Sequence, residues 1–265
     1  AIRWIGLSLM ASACLFPFYA MIVLSLKPNT IVELPGSLWP FSNISFDSYV
    51  QVFSGQNLPR WLLNTVIYAL ISVVVVLFIS ALAGYAFAKK RFPGREAMFW
   101  SFLSMVMVPF QVTLIPTFML ISSMRGINTY WGLIVPSLAN AQAVFLMRQF
   151  IRDLPDELFE AARVDGAGEF TIFWRIVLPL CRPVLATLGI FVFLWHWNDF
   201  LWPLIVGRRN EMWTLTVGIS SLQQQNVPLS VMLAGSTVAL LPILMAYLVA
   251  QRHVQDGYIN SGIKG

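Results

Sequence analysis

The residues able to do chemistry in this chain are few, and their spacing limits what that chemistry can be. Its 265 residues hold two cysteines and two histidines. Cys14 and Cys181 lie in or beside apolar runs and far apart, so they form neither a CxxC pair nor a disulfide framework. A zinc site would need His196, His253 and both cysteines to converge from four separate places. The four lysines, Lys27, Lys89, Lys90 and Lys264, are followed by Pro, Lys, Arg and Gly. A phosphate-cradling P-loop needs Gly-Lys followed by Ser or Thr, and neither a G-x-S-x-G elbow nor an H-E-x-x-H helix occurs. The chain therefore has no ATP site of that kind, and energy for an active process must come from a partner. His196 and Asp199 have the types of an acid and a base but no nucleophile motif beside them.

The elements that position these groups follow from composition. The chain is 58% hydrophobic and 11% charged, with mean hydropathy +0.72, whereas a soluble domain carries roughly 25% charged residues. This excludes a soluble globular protein and implies an integral membrane protein divided into spans of about 20 residues. The net charge of +5 does not point to nucleic acid, because the bases sit at the ends of apolar segments. The segments run from Ile5 to Leu26, from Asn64 to Ala88, between Glu96 and Arg125, from Ile127 to Met147, from Pro183 to about Val206, and from Leu229 to Ala250. Pro109 and Pro116 predict a kink or a short re-entrant break in the third. The first resembles a signal peptide, with Arg3 and Ala11-Ser12-Ala13, but its apolar run continues about 13 residues too far. It is read as a retained helix.

With the N-terminus inside, twelve of the seventeen Lys and Arg fall on the inner side, so both termini are expected in the cytoplasm. The expected organisation is one polytopic domain over 1–265, with a core at 60–252, an extracytoplasmic loop at 28–60 and a cytoplasmic segment at 148–182. That segment separates the fourth and fifth spans by about 34 residues. Pro155 is suited to the first helical position, Asp156 and Glu157 load the positive end of the helix dipole, and Gly166 is a natural stop. Beyond Gly168, Phe170, Phe173, Trp174 and Val177 recur at helical spacing and predict one apolar face of a second short helix, ended by Pro179 and Pro183. An amphipathic pair lying on lipid headgroups is one reading. A docking knob for a cytoplasmic partner is the other, favoured because the first helix is acidic.

Polar groups inside spans are costly and face a bundle interior or a wet cavity. Asn64, Gln111, Asn140, Gln142, His196, Asn198 and Asp199 are the candidates for a translocation pathway. Asp199 is the only acid within a span and lies about 24 Å along its helix at 1.5 Å per residue. Pro203 cannot donate to the residue 199 carbonyl, so a kinked, locally hydrated helix end is expected there. A hydrogen bond that only holds the bundle together is the bland alternative. Trp195, Trp197 and Trp202 suit either sugar stacking or the membrane interface.

Glu160-Ala161-Ala162, Asp165-Gly166-Ala167 and Ile176-Val177-Leu178-Pro179 together resemble the EAA signature of the membrane subunits of binding-protein-dependent ABC importers. Trp61 to Thr65, Ala83 to Ala88 with Arg91-Phe92-Pro93-Gly94, Trp197-Asn198-Asp199 and the tail Asn260 to Gly265 are similar to the carbohydrate-uptake branch, its maltose-type and glycerol-phosphate-type permeases. The resemblance covers nearly the whole length. It implies an all-helical permease with six spans and a helix-turn-helix coupling segment in a bacterial or archaeal cytoplasmic membrane. Glu160, Ala161, Ala162, Asp165 and Gly166 would seat in an ATPase subunit, and Gly262 and Lys264 of the tail would reach the same interface. It further implies a second permease chain, two ATPase subunits holding ATP and Mg, an extracytoplasmic solute-binding protein, and no cofactor on this chain. A sugar is the expected solute, with glycerol phosphate derivatives, polyols or polyamines as alternatives and a membrane enzyme or channel as remote ones.

Overall fold

The computed structural model describes residues 2–28 and 36–261, with the side chains of 3–28 and 36–248. Among these residues every regular element is a helix or helical turn. Two compact units emerge, one from Ala1–Thr65 with Arg208–Met245, the other from Val66–Gly207 with Ala246–Gly265.

The first unit contains α1 (Ile2–Ser25), α2 (Asp47–Ser54), the first turns of α3 (Leu58–Lys89), α13 (Leu215–Gln224) and most of α14 (Leu229–Ser261). Most of α1 is exposed and apolar on all sides, as expected of a helix in lipid rather than in a protein core. Trp61 is fully buried, and its ring lies so close to Gly218 that a Cβ there would fall 2.1 Å from it.

The second unit holds the rest of α3 and a series of broken helices. α4 (Arg95–Ser104) continues through a 3-10 turn at Met105–Met107, and α5 (Phe110–Ser123) leaves it at 102°. The break expected from proline falls at Pro109, whose ring removes an N–H and holds the chain extended. Pro116 lies inside α5 without ending it. α6 (Tyr130–Ile134) and the turn Val135–Ser137 meet α7 (Ala141–Arg152) at 48°. α8 (Asp156–Val164) follows, then α9 (Glu169–Ile172), a π-turn at Phe173–Val177, α10 (Leu178–Leu180) and α11 (Arg182–Trp197), the last bent by 76° from its predecessor. α12 (Leu201–Val206) closes the series. α1, α3 and α14 are each long and apolar enough to cross a membrane, and the total reaches six if each bent pair is one span.

One expectation is met and another changes. The fifth apolar segment is interrupted where a kinked helix end was expected, α11 stopping at Trp197 and residues 198–200 leaving the helix before α12. The second short helix buries Ile172, Phe173 and Val177 and leaves Phe170 and Trp174 exposed. Its π-turn widens the repeat to i→i+5 and rotates the face away from the 3.6-residue pattern.

α3 and α7 approach through Gly84, where an added Cβ would stand 2.7 Å from Met147 Cβ and 2.9 Å from the Arg148 nitrogen, whereas one at Gly189 would meet Leu77 Cδ1 at 3.4 Å and Val73 Cγ1 at 3.9 Å. Gly84→Ala should cost about 1–3 kcal/mol by overpacking. In detergent its thermal midpoint should fall clearly, while Gly189→Ala stays near the parent.

Candidate functional site

Three of the helix breaks of the second unit converge. Val108 and Pro109 from the α4–α5 break, Ser137, Ala139 and Asn140 from the α6–α7 break and Asp199 from the α11–α12 break all line one cavity of about 700 Å³. The physical reason is that a break leaves backbone amides and carbonyls without helical partners, and inside a membrane only polar side chains or a wet cavity can satisfy them. Asn140 does this directly, its Oδ1 accepting the Ala143 N–H at 2.9 Å as the cap of α7. Asp199 sits at the mouth of α12, where the backbone N–H groups of Phe200 and Trp202 lie on its carboxylate.

Asp199 also ties three helices together. Tyr68 of α3 donates its hydroxyl to Asp199 Oδ2 at 2.8 Å, and its ring meets that of His196 edge to face at 4.9 Å between centroids. His196 Nδ1 is 2.7 Å from the Val192 carbonyl, which can only accept, so Nδ1 carries the proton. Nε2 faces the Ser137 hydroxyl at 3.0 Å, and that hydroxyl also reaches the Ile134 carbonyl at 2.7 Å. Its one proton serves one of the two at a time. The Trp202 indole donates to the Leu133 carbonyl at 3.1 Å, which locks α12 onto α6.

Of the seven polar residues marked from sequence, Gln111, Asn140, Gln142, His196 and Asp199 share this cavity, with Trp195 and Trp202 in its wall. Asn64 lies in the first unit instead, buried, donating to the carbonyls of Glu211 and Trp213 at 2.8 Å each. Asn198 is exposed and bonds back to the Leu194 carbonyl at 2.8 Å, off the cavity wall. Trp197 is buried and stacks on Phe193. Tyr68 escaped the sequence reading, although it stands four residues after Asn64 on the same helix. The cavity offers amides, hydroxyls, an imidazole, one carboxylate and aromatic faces, which suits holding a polar solute.

The second constellation surrounds α8. Asp156 is its first residue, with Pro155 one position outside as the cap, and Asp156 and Glu157 face the N-terminal dipole. At the other end Gly166 has φ +78° and the Ala167 N–H reaches the Ala162 carbonyl at 2.9 Å, a left-handed closure suited to glycine. The back of α8 is anchored by Phe159, buried, stacked on Tyr85 at 6.1 Å and covered by Lys89. The front presents Glu160, Ala161, Asp165 and Gly166, all exposed, while Ala162 is half-buried. Val164 and Phe170, 87% and 76% exposed, extend this face. Neither was singled out for it from sequence, because an apolar residue reads equally well as core or surface until the packing is known.

Lys89 and Lys90 do more than flank an apolar segment. The Lys89 ammonium, drawn inward, donates to the Leu154 carbonyl at 2.6 Å and to Asp156 Oδ1 at 2.7 Å. Lys90 pairs with Glu169, which also accepts the Tyr85 hydroxyl at 2.7 Å. Arg163 turns toward Glu169, 3.7 Å away, rather than toward Glu160 as its helical spacing allowed. Nearby, Arg148 binds both carboxylate oxygens of Glu96 at 2.7 and 2.8 Å and covers the Phe99 ring at 3.8 Å. Gly262 and Lys264 lie outside the described residues. Among the described residues no group of three or more His, Cys, Asp or Glu is placed to hold a metal ion.

Residues 78–259 match the family model described as "Binding-protein-dependent transport system inner membrane component". The chain is 36% identical to the arabinooligosaccharides transport system permease protein AraQ of Halalkalibacterium halodurans, covering 98% of this chain and 95% of that one. It is 34% identical to the lactose transport system permease protein LacG of Rhizobium radiobacter over 98% and 95%. It is also 36% identical to the sn-glycerol-3-phosphate transport system permease protein UgpE of Yersinia pestis over 93% and 91%. Its fold is similar to a chain in the crystal structure of a bacterial ABC transporter involved in import of the acidic polysaccharide alginate, with TM-score 0.82 and 23% identity over 95% of this chain and 94% of that one.

Two outcomes test this geometry. Removing the Tyr68 hydroxyl by Tyr68→Phe leaves a buried charge-assisted bond unmade, which costs about 1.5–3 kcal/mol. The thermal midpoint should fall, and less so in an Asp199→Asn background. At Asp156 the neighbouring Lys89 holds the carboxyl below its ordinary 3.8. The tie is therefore complete above that value and is lost as pH falls through the lowered one. Hydrogen exchange at the start of α8, corrected for intrinsic rates, should rise on acidification in the parent and be raised but flat in Asp156→Asn.

Proposed function

The chain belongs to the family of binding-protein-dependent transport system inner membrane components, and from this membership we propose that it is one of two permease chains in an ATP-driven sugar importer. Six spans, with each bent pair crossing once, put both termini and residues 148–182 in the cytoplasm; the weight of Lys and Arg on that side supports this orientation. A second permease chain completes the pathway. Two ATPase subunits bind ATP and Mg, and an extracytoplasmic binding protein delivers the solute. The solved alginate ABC transporter in complex with a pentasaccharide-bound periplasmic protein, which this chain resembles in fold with TM-score 0.63, supports that arrangement.

One observation carries the reading: α8 ends in an exposed Glu160 to Gly166 elbow whose back is fastened to α3. Closure of the ATPases on ATP pushes this elbow, with Glu160 offering charge, Ala161 and Ala162 permitting close approach and Gly166 supplying the turn. Val164 and Phe170 add apolar contact. Lys89, Lys90 and Tyr85 pass the displacement into α3, which is helical without interruption from there to Tyr68, about 32 Å away at 1.5 Å per residue. Tyr68 is bonded to Asp199 in the cavity wall, so the same rigid element joins the docking face to the pathway. Gln111, Asn140, Gln142 and His196 line the pathway with Asp199, and alternating access opens it to each side in turn. The tail residues Gly262 and Lys264 reach toward the ATPases.

The solute is a sugar or a glycerol phosphate derivative, in keeping with relatives whose names specify arabinooligosaccharides, lactose and sn-glycerol-3-phosphate. Polyols fit the same polar cavity. An enzymatic role is disfavoured, because the relatives are named as transport system permease proteins.

Affinity purification of the tagged chain from its native membrane should bring down an ATPase and a second permease in stoichiometric amount. Isolation alone, even after crosslinking, would overturn the importer reading. In the assembled complex Gly166→Asp, with φ +78° to accommodate, should preserve insertion while uptake falls at least tenfold and ATP hydrolysis loses its dependence on solute. Uptake at parental rate would remove the coupling role from this elbow.

A further inference from the structure

The segment that follows α1 is chemically unlike a water-facing loop. Residues 36–54 contain Asp47 and no other charged side chain, where an average surface at ~25% charge would place about five. Their backbone also turns back along α1. Tyr19, six residues before the helix ends at Ser25, donates its hydroxyl to the Leu38 carbonyl at 2.9 Å. Lys27, buried itself, donates to the carbonyls of Trp39, at 2.7 Å, and of Ser42. The Ser45 N–H bonds to the Leu26 carbonyl at 2.8 Å, and the Ser25 and Tyr49 hydroxyls meet at 2.8 Å. At 1.5 Å per residue Tyr19 lies about 9 Å short of the helix end. The chain at Leu38 has thus turned back beside the last turns of α1.

Backbone carbonyls of this stretch are turned onto Tyr19 and Lys27, and the side chains left outside are mostly apolar, with Asn43, Asp47 and Ser54 among them. Trp39 and Phe41 are 64% and 78% exposed and pack edge to face at 6.2 Å, and Ile44, Phe46, Val50 and Phe53 are exposed beside them. α2 buries Ser48 and Val52 and turns Val50 and Phe53 outward. An apolar patch of this kind in water is unusual on a soluble surface, while tryptophan and its neighbours concentrate where acyl chains meet headgroups. The patch is continuous with the exposed apolar surface of α1 through the Tyr19 and Lys27 bonds.

We propose that residues 36–54 are an interfacial anchor, with Trp39, Phe41, Ile44 and Phe46 inserted into the headgroup region of the outer leaflet. This rests on the six-span reading, which puts the end of α1 at that surface. The occupant is lipid rather than the binding protein, because a face awaiting a soluble partner would stand in water between encounters and this one lacks the charges to do so.

The test uses nitroxide labels on the assembled complex in phosphatidylcholine and phosphatidylglycerol liposomes. Phe41→Cys and Ile44→Cys are each made with Cys14→Ser, while the parent is labelled at Cys14, which is exposed on α1; Cys181 is buried and unreactive. Oxygen should relax the labels at 41 and 44 more than a water-soluble nickel chelate does, giving an accessibility ratio above unity, with a larger ratio at Cys14. A ratio below unity at 41 and 44, with Cys14 above it, would put the segment in water and overturn the inference. Low access to both reagents would mean that a protein covers the segment, which would overturn the inference equally. A ratio below unity at Cys14 would instead overturn the membrane reading on which the inference stands.

Discussion

A helix can break inside a membrane only where something other than lipid satisfies the freed backbone groups, and the second unit is organised around that constraint. Its bent helix pairs break near Pro109, near Asn140 and at the chain preceding α11, and α11 itself ends before Asp199. Asn140 caps one break with its own side chain, and Asp199 collects amides at another. The polar atoms that make the breaks tolerable are the same ones that line the cavity. One set of residues thus both supports the breaks and lines the cavity.

The cavity is joined to the α8 face by an uninterrupted helix. α3 carries Tyr85, Lys89 and Lys90 at one end and Tyr68 farther along. Its contacts with α8 and α9 mix ion pairs with an aromatic stack beneath them. Surface ion pairs alone contribute about 0–1 kcal/mol, so the buried Phe159 and the inward-drawn Lys89 are what make the attachment firm. A stiff connection of this kind transmits displacement in a way that a flexible loop cannot.

Much of this is legible in the chain itself. Membrane embedding follows from hydropathy, the break at Pro109 from a missing N–H, and the elbow at Gly166 from a residue type that tolerates positive φ. The α8 segment reads clearly because all its signals are local, with acids at the start, glycine at the end and apolar residues at one spacing. The helix after it misleads for a physical reason: a π-turn changes the repeat, and no residue between Phe173 and Val177 announces it. Asn64 and Asn198 group with the cavity residues in sequence because polarity within an apolar run says that a partner exists without saying which.

What the sequence determined by itself is the solvent and the local shape: an apolar chain in lipid, helices with their caps and stops, and an exposed acidic elbow that matches a known family. These depend on residues within a few turns of one another. Only the tertiary structure decided which polar groups share a cavity, that Tyr68 binds Asp199 across 131 residues of chain, and that Lys89 grips Asp156 rather than lipid phosphate. Contacts at such separation are chosen by how helix faces pack, through close approaches such as Gly84 on Met147, and no local pattern encodes that choice.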